Sequence, residues 1–228
     1  MQYGGHMLPG GVELRKRGDP DFIKRTHRLI NDVNDWIRET TDRLCIPLVD
    51  LYDVFGEPED PDMLDGRYSC GDHAHLNIDG YRLMAERLID GYFSSAEDLS
   101  TIVCLGDSHT QGFPGRSDIS RNGVRIEIEV DDPNQFPYWL ARKLGCTVIN
   151  RGIAGNTLQG MYRRFDDEVL PHLPDHCVII GGTNDVLIGN TLDEVKEDLE
   201  KLYGVCILND IVPVTSTIIP LGISPTEG

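Results

Sequence analysis

The sequence predicts an α/β protein with five buried parallel strands and helices between them. Two observations carry this. Short apolar runs recur at 46–54, 101–105, 147–151, 177–181 and 211–219, several of them stopped by Gly, Asn or Asp. Between them lie segments with apolar residues at helical spacing. At 228 residues the chain suffices for one domain that buries roughly 70% of its unfolded surface.

The elements follow in order. Residues 1–20 are rich in Gly and Pro, carry Arg15-Lys16-Arg17, and read as a loop. Asp19-Pro20-Asp21 is a helix entry. Ile23, Ile30, Val33, Ile37 and Leu44 then share one helical face, and Trp36 reads as packing. Residues 46–54 form a strand. Residues 56–71, rich in Pro, Gly and acid without periodicity, form a surface loop that delivers Asp72 and His75. Asp79-Gly80 opens a helix from Tyr81 to about Tyr92, with Leu83, Met84, Leu88 and Ile89 as its buried stripe. Residues 93–100 are a polar joint.

Strand 101–105 stops at Gly106-Asp107-Ser108. Residues 111–135 form a long connection with a small strand pair around 124–130, expected to shape a pocket. A helix over 136–144 puts Trp139 and Leu140 in the core. Strand 147–151, a helical stretch over 158–170 and strand 177–181 come next. An amphipathic helix over 191–208 carries Leu192, Val195, Leu199 and Leu202 on one face. Strand 211–219 is the last, and the chain ends in a Pro-Gly loop.

Composition limits the function classes. The net charge is −17, with five lysines and 16 arginines against 38 acids. That argues against nucleic acid, whose phosphates need a basic patch. A salt-rich habitat and an ordinary acidic cytosolic protein both produce this balance. No apolar run approaches 18 residues, so no membrane span is expected. The N-terminus lacks a basic region followed by an apolar core, so no signal peptide is expected. Cysteines at 45, 70, 104, 146, 177 and 206 form no C-x-x-C. They read as buried free thiols in a reducing, cytoplasmic compartment, with a disulfide between two of them left open.

In an open α/β sheet, ligands bind past the carboxyl ends of the strands. That is where Ser108 falls, in TIVCLGDSHTQG. Three other stretches share the signal: VINRGIAGNT at 148–157, CVIIGGTND at 177–185, and Asp72-His73-Ala74-His75 followed by Leu76-Asn77. A serine nucleophile needs a base, and imidazole is poised near neutrality, so a histidine such as His75 is the candidate. Asp72, three residues earlier, is within reach of the far ring nitrogen and would fix its tautomer.

Together the four blocks resemble the SGNH hydrolases, the GDSL esterase/lipase family. Ser108 matches the GDS block, Gly155 the glycine block, Asn184 the G-x-N-D block and His75 the D-x-x-H block, over most of 20–222. The resemblance implies a three-layer α/β/α sandwich of flavodoxin-like type with sheet order 3-2-4-5-1. It implies a serine esterase for short acyl esters, acetyl first, working through an acyl-enzyme without cofactor or metal. Ser108, His75 and Asp72 would be catalytic. The backbone N–H groups of Ser108 and Gly155 and the Asn184 amide would form the oxyanion hole. Asp107 and Asp185 would tie loops, His109 would be structural, and His73 would face away.

One departure is large. In the family the D-x-x-H block comes last, and here it comes first. The chain looks circularly permuted, with 1–98 corresponding to the family's C-terminal part and 99–228 to its N-terminal part. The rival readings are a non-catalytic module for an acylated ligand, an acyl thioesterase, and zinc at Asp72, His73 and His75. Nucleotide binding has no G-x-G-x-x-G or P-loop to support it. The expected partner is a small-molecule ester. The oligomeric state is open, including an exchange of halves in which His75 of one chain serves Ser108 of another.

Overall fold

The five apolar runs do pair into one parallel sheet. Its strands are β1 (Leu48–Val49), β2 (Thr101–Gly106), β5 (Thr147–Gly152), β6 (His176–Ile180) and β7 (Val212–Ser216). The order is β1-β7-β6-β2-β5, all parallel. Read from the other edge this is the expected 3-2-4-5-1. The computed structural model describes residues 20–72, 74–96, 99–113, 120–121, 124–125 and 132–222. A short antiparallel pair, β3 (Ser120–Arg121) and β4 (Val124–Arg125), sits in the connection after β2. Residues 126–130 of the expected pair, the Arg15-Lys16-Arg17 loop, His73 and the final residues 223–228 lie outside the described residues.

Side chains of a strand alternate between faces, and this splits the core in two. Ile102, Cys104, Val148, Val178, Ile180 and Val214 face one layer. That layer holds Tyr81, Met84 and Leu88 of α3 (Ile78–Leu88) and Phe136 and Leu140 of α5 (Phe136–Leu144). Val103, Leu105, Cys177 and Ile179 face the other. There they meet Ile30, Val33 and Ile37 of α1 (Pro20–Leu44), Leu158 and Met161 of α6 (Leu158–Arg163), and Val195, Leu199 and Leu202 of α9 (Leu192–Leu208). The result is a helix–sheet–helix sandwich. Each fully buried Leu or Met contributes roughly 1.5–3 kcal/mol. Strands covered on both faces show no polar alternation, which is why they read as plain apolar runs.

Several boundaries differ from the expectation, each for a local reason. The first strand is only two residues long. The chain then turns, with Tyr52 N–H donating to Thr217 Oγ1, into the short helix α2 (Tyr52–Phe55), whose two buried aromatics are one turn apart. Helix α3 starts earlier than expected because Asn77, not Asp79, caps it, accepting from the Gly80 N–H. Its end becomes a π turn over Ile89–Phe93. The helical stretch 158–170 breaks at Arg164 into α6, α7 (Phe165–Glu168) and a 3-10 turn over Leu170–His172. The last strand ends at Ser216. Leu44 is exposed at the tip of α1. Helix α9 carries a capping box between Thr191 and Glu194. The six cysteines are free, but only Cys104, Cys177 and Cys206 are buried; Cys70 and Cys146 are half-buried and Cys45 is exposed. Among the described residues no helix is long and apolar enough to cross a membrane.

Candidate active site

The block that carries Asp72 and His75 is a tight loop between α2 and α3. It is closed by Cys70 N–H on His75 O at 3.0 Å and Asn77 N–H on Tyr68 O at 2.7 Å. Within it Asp72 Oδ1 accepts the backbone N–H groups of Ala74 (3.0 Å) and His75 (2.8 Å). That frees Oδ2 to face His75 Nδ1 at 2.5 Å. Burial opposes ionisation of Asp72. The hydrogen bond and charge of His75, with the two N–H groups, outweigh it and hold the carboxyl well below the usual range.

The other ring nitrogen, His75 Nε2, lies 2.8 Å from Ser108 Oγ. Ser108 opens the short helix α4 (Ser108–Gln111) directly after β2, and Asp107 caps it by accepting the His109 N–H at 2.9 Å. The His75 ring is flanked by Phe113 at 4.5 Å and His109 at 5.3 Å between centroids. Phe113 is itself fixed, its N–H on Ser108 O and its carbonyl accepting the buried Tyr81 hydroxyl at 2.7 Å. Asp72, His75 and Ser108 are therefore brought into one relay.

Gly155 and Asn184 flank it from the neighbouring strands. After β5 the chain is held against β2 by Ile153 N–H on Gly106 O, and against α4 by Ala154 N–H on Gln111 Oε1 at 2.5 Å. Gly155 then takes φ +76, a left-handed conformation that a side chain disfavours. Gly152 allows the close approach: a Cβ there would lie 2.1 Å from the Gln111 backbone nitrogen. Asn184 sits in α8 (Thr183–Ile188) after β6. Its Nδ2 donates to Asn156 O at 3.0 Å and, over a longer 3.4 Å, to Asp107 Oδ2. Among the described residues the backbone N–H groups of Ser108 and Gly155 donate to nothing in the protein.

Three more titratable groups at the site are buried, and of these Asp107 and Asp185 tie loops by accepting backbone N–H groups. Burial pushes Asp107 up to about 6, against the His109 N–H and the nearby positive charges of His75 and Arg164. Burial pushes Asp185 up to about 7 although it accepts the Leu158 N–H at 3.1 Å. Burial and then the charge of His75 push His109 down to about 3, so it is a neutral imidazole. Among the described residues no cluster of three or more His, Cys, Asp or Glu has a metal-holding arrangement.

Sequence reasoning missed Gln111, Asn156, Arg164 and Phe113. Asn156 stood inside a block already singled out. Arg164 left no signal, because an arginine in a helical stretch reads as solvated surface.

A parallel α/β sheet carries Ser108, His75 and Asp72 past its strand ends, with Gly155 and Asn184 beside them, and its architecture is that of the SGNH hydrolases. The model of the GDSL-like lipase/acylhydrolase family matches residues 104–227, more than half of the chain. The chain belongs to this family. It is 38% identical over 55 residues to an acetylxylan esterase of Geobacillus stearothermophilus, covering 24% of this chain and 25% of that protein. Two solved structures are similar. One is a protein of the G-D-S-L family from Desulfitobacterium hafniense DCB-2, with 26% identity and a TM-score of 0.42 over 51% of this chain and 58% of that one. The other is the psychrotrophic esterase EstA from Pseudoalteromonas sp., with 23% identity and a TM-score of 0.41 over 53% and 61%. The chain thus spans a quarter of the curated relative and about three fifths of the structures it matches.

Proposed function

We propose that the protein is a serine esterase that cleaves short acyl esters, acetyl esters first, through an acyl-enzyme. The observation that carries this is the relay from Asp72 Oδ2 through His75 to Ser108 Oγ, at 2.5 and 2.8 Å. Ser108 Oγ attacks the ester carbonyl as its proton passes to His75 Nε2. Asp72 holds the ring and balances the imidazolium. The tetrahedral oxyanion is met by the N–H groups of Ser108 and Gly155 and by the Asn184 amide, whose long bond to Asp107 is the one an oxyanion would replace. The alcohol leaves with the proton from His75. Water then loses its proton to His75 and attacks the acyl carbon, and Ser108 departs with that proton. The local match to an acetylxylan esterase supports acetyl as the first acyl group to try.

The base and acid precede the nucleophile by 33 residues or more, so we read the domain as circularly permuted. On this reading the closure falls between the π turn at Ile89–Phe93 and β2. A single chain supplies the whole relay on this reading, in the cytoplasm, with no exchange between copies.

The test is hydrolysis of p-nitrophenyl acetate, butyrate and octanoate by wild type, Ser108→Ala and His75→Ala. Each substitution is expected to cost up to about 10⁶ in kcat, as in other serine triads. Equal activity in Ser108→Ala and wild type would refute the nucleophile. A mixture of the two variants should stay inactive, since neither chain holds a complete relay. Activity on acyl thioesters alone would move the assignment to a thioesterase. Binding of an acylated ligand without turnover of any ester would move it to the binding module.

A further inference from the structure

Arg164 interrupts the helical stretch after the glycine block, between α6 and α7. It leaves the helical register at φ −104, ψ 3. Its Nη2 donates to Gly106 O at 2.9 Å, its Nε to Asn156 Oδ1 at 2.8 Å, and its Nη1 to Glu168 Oε2 at 2.5 Å. The side chain is only 11% exposed. A guanidinium withdrawn from water is tolerated when its planar fork is met by acceptors in the right directions. Glu168 alone would balance the charge from the helix surface. The other two bonds reach across the fold to the site.

Those two bonds have specific endpoints. Gly106 is the last residue of β2, two before Ser108, and its carbonyl also accepts Ile153 N–H. Asn156 follows Gly155, and its backbone carbonyl accepts the Asn184 amide at 3.0 Å. Its Oδ1 meets Arg164, and its Nδ2 lies against Gly160, where a Cβ would come within 2.1 Å. Arg164 therefore links the strand end that sets Ser108, the turn that carries Gly155, and the acceptor that aims the Asn184 amide.

We propose that Arg164 is a positioning residue for the oxyanion donors, acting through Asn156. It rests on the reading of Ser108 as nucleophile and of Asn184 and Gly155 as donors. Arg164 touches no reacting atom. With Arg164 removed, the 155–157 turn loses its tie to β2, and the Gly155 N–H and Asn184 amide lose the geometry that only the tetrahedral state demands. A misplacement of about 1 Å at such a site costs on the order of 10² in rate.

The test uses the full chain and p-nitrophenyl acetate. Arg164→Met keeps much of the side chain's bulk and removes the donors. Asn156→Ala removes the acceptor for Nε and leaves the backbone carbonyl in place. Each is expected to lower kcat about 10- to 100-fold with KM unchanged, the pattern of a contact used only in the transition state. The double variant is expected to be no slower than Arg164→Met alone, because both act through one link. Guanidinium ion added to Arg164→Ala should restore part of kcat, and sodium chloride at the same concentration should not. Circular dichroism melts record folding. If Arg164→Met fails to fold, Asn156→Ala, at a half-buried turn, decides the matter. Unchanged kcat in Asn156→Ala, an additive double variant, or a loss confined to KM overturns the proposal while an inactive Ser108→Ala leaves the nucleophile intact. An active Ser108→Ala overturns the underlying reading instead.

Discussion

Asp107 should be a residue that the folded protein tolerates at a cost, and Asp107→Asn measures it. The carboxyl is 1% exposed, caps α4 through His109 N–H, and faces the Asn184 amide. In the unfolded chain it loses its proton near 3.8, and in the fold only near about 6. The folded state thus holds the proton more tightly, so stability is highest below pH 4 and falls as pH rises towards 6. At about 1.36 kcal/mol per pH unit the loss is about 3 kcal/mol, fully developed above pH 6. Asparagine keeps the shape and one acceptor for His109 N–H and does not ionise. It forfeits the long bond from Asn184, worth about 1 kcal/mol. Asp107→Asn is therefore expected to be about 2 kcal/mol more stable than wild type at pH 8. For a chain of this size that raises Tm by roughly 4–8 °C. At pH 4 the gain should vanish. Thermal unfolding followed by circular dichroism at both pH values reads this directly. A difference in Tm that is the same at pH 4 and pH 8 would refute the reasoning, since the pH dependence of the effect comes from ionisation.

Other outcomes follow from the same geometry. Asp72→Asn should lower kcat by about 10⁴, as an amide no longer holds the His75 tautomer, and steady-state kinetics at pH 8 would check it. His109→Leu should make the protein less sensitive to acid. The unfolded histidine binds a proton below 6.5 while the buried one waits until about 3, so wild type loses about 2 kcal/mol by pH 5 and the variant should not; urea titrations at pH 7 and pH 5 measure the difference. Gly152→Ala should push α4 away, because its Cβ would lie 2.1 Å from Gln111 N and 2.5 Å from Thr110 C, both backbone; kcat should fall and Tm drop together. Phe165→Ala, fully buried in the layer of α1, α6 and α9, should cost about 3–5 kcal/mol in denaturant titrations.

The sheet was legible because its strands are apolar on both faces and end at Gly, Asn or Asp. The order of the strands came through the family resemblance, and the observed pairing agrees with it. The helix over 136–144 was legible to the residue, closed by Gly145 at φ +68. The strand at 46–54 misled because an apolar run does not distinguish a strand from a helical turn. Asp72, His75, Ser108, Gly155 and Asn184 stood out as short blocks, since each needs a particular chemistry at a particular turn. The contacts that hold them did not. Gln111 on Ala154, Arg164 on Gly106 and Tyr81 on Phe113 join residues far apart in the chain, and no local pattern records them.

The placement of the first helix and strand has a consequence for synthesis. Strand β1 lies at the sheet edge and, among the described residues, pairs only with β7, while α1 holds the Ile218 backbone through Asn34, 184 residues away. Neither has its seat until residues 212–218 have left the ribosome. At roughly 5–20 residues per second that wait lasts on the order of 10–40 s. Throughout it the apolar stripe of α1, from Ile23 to Ile37, is in water on a nascent chain whose central strands are already free to pair. This helix is where a holdase chaperone would find its client, and where crowded synthesis would first lead to aggregation.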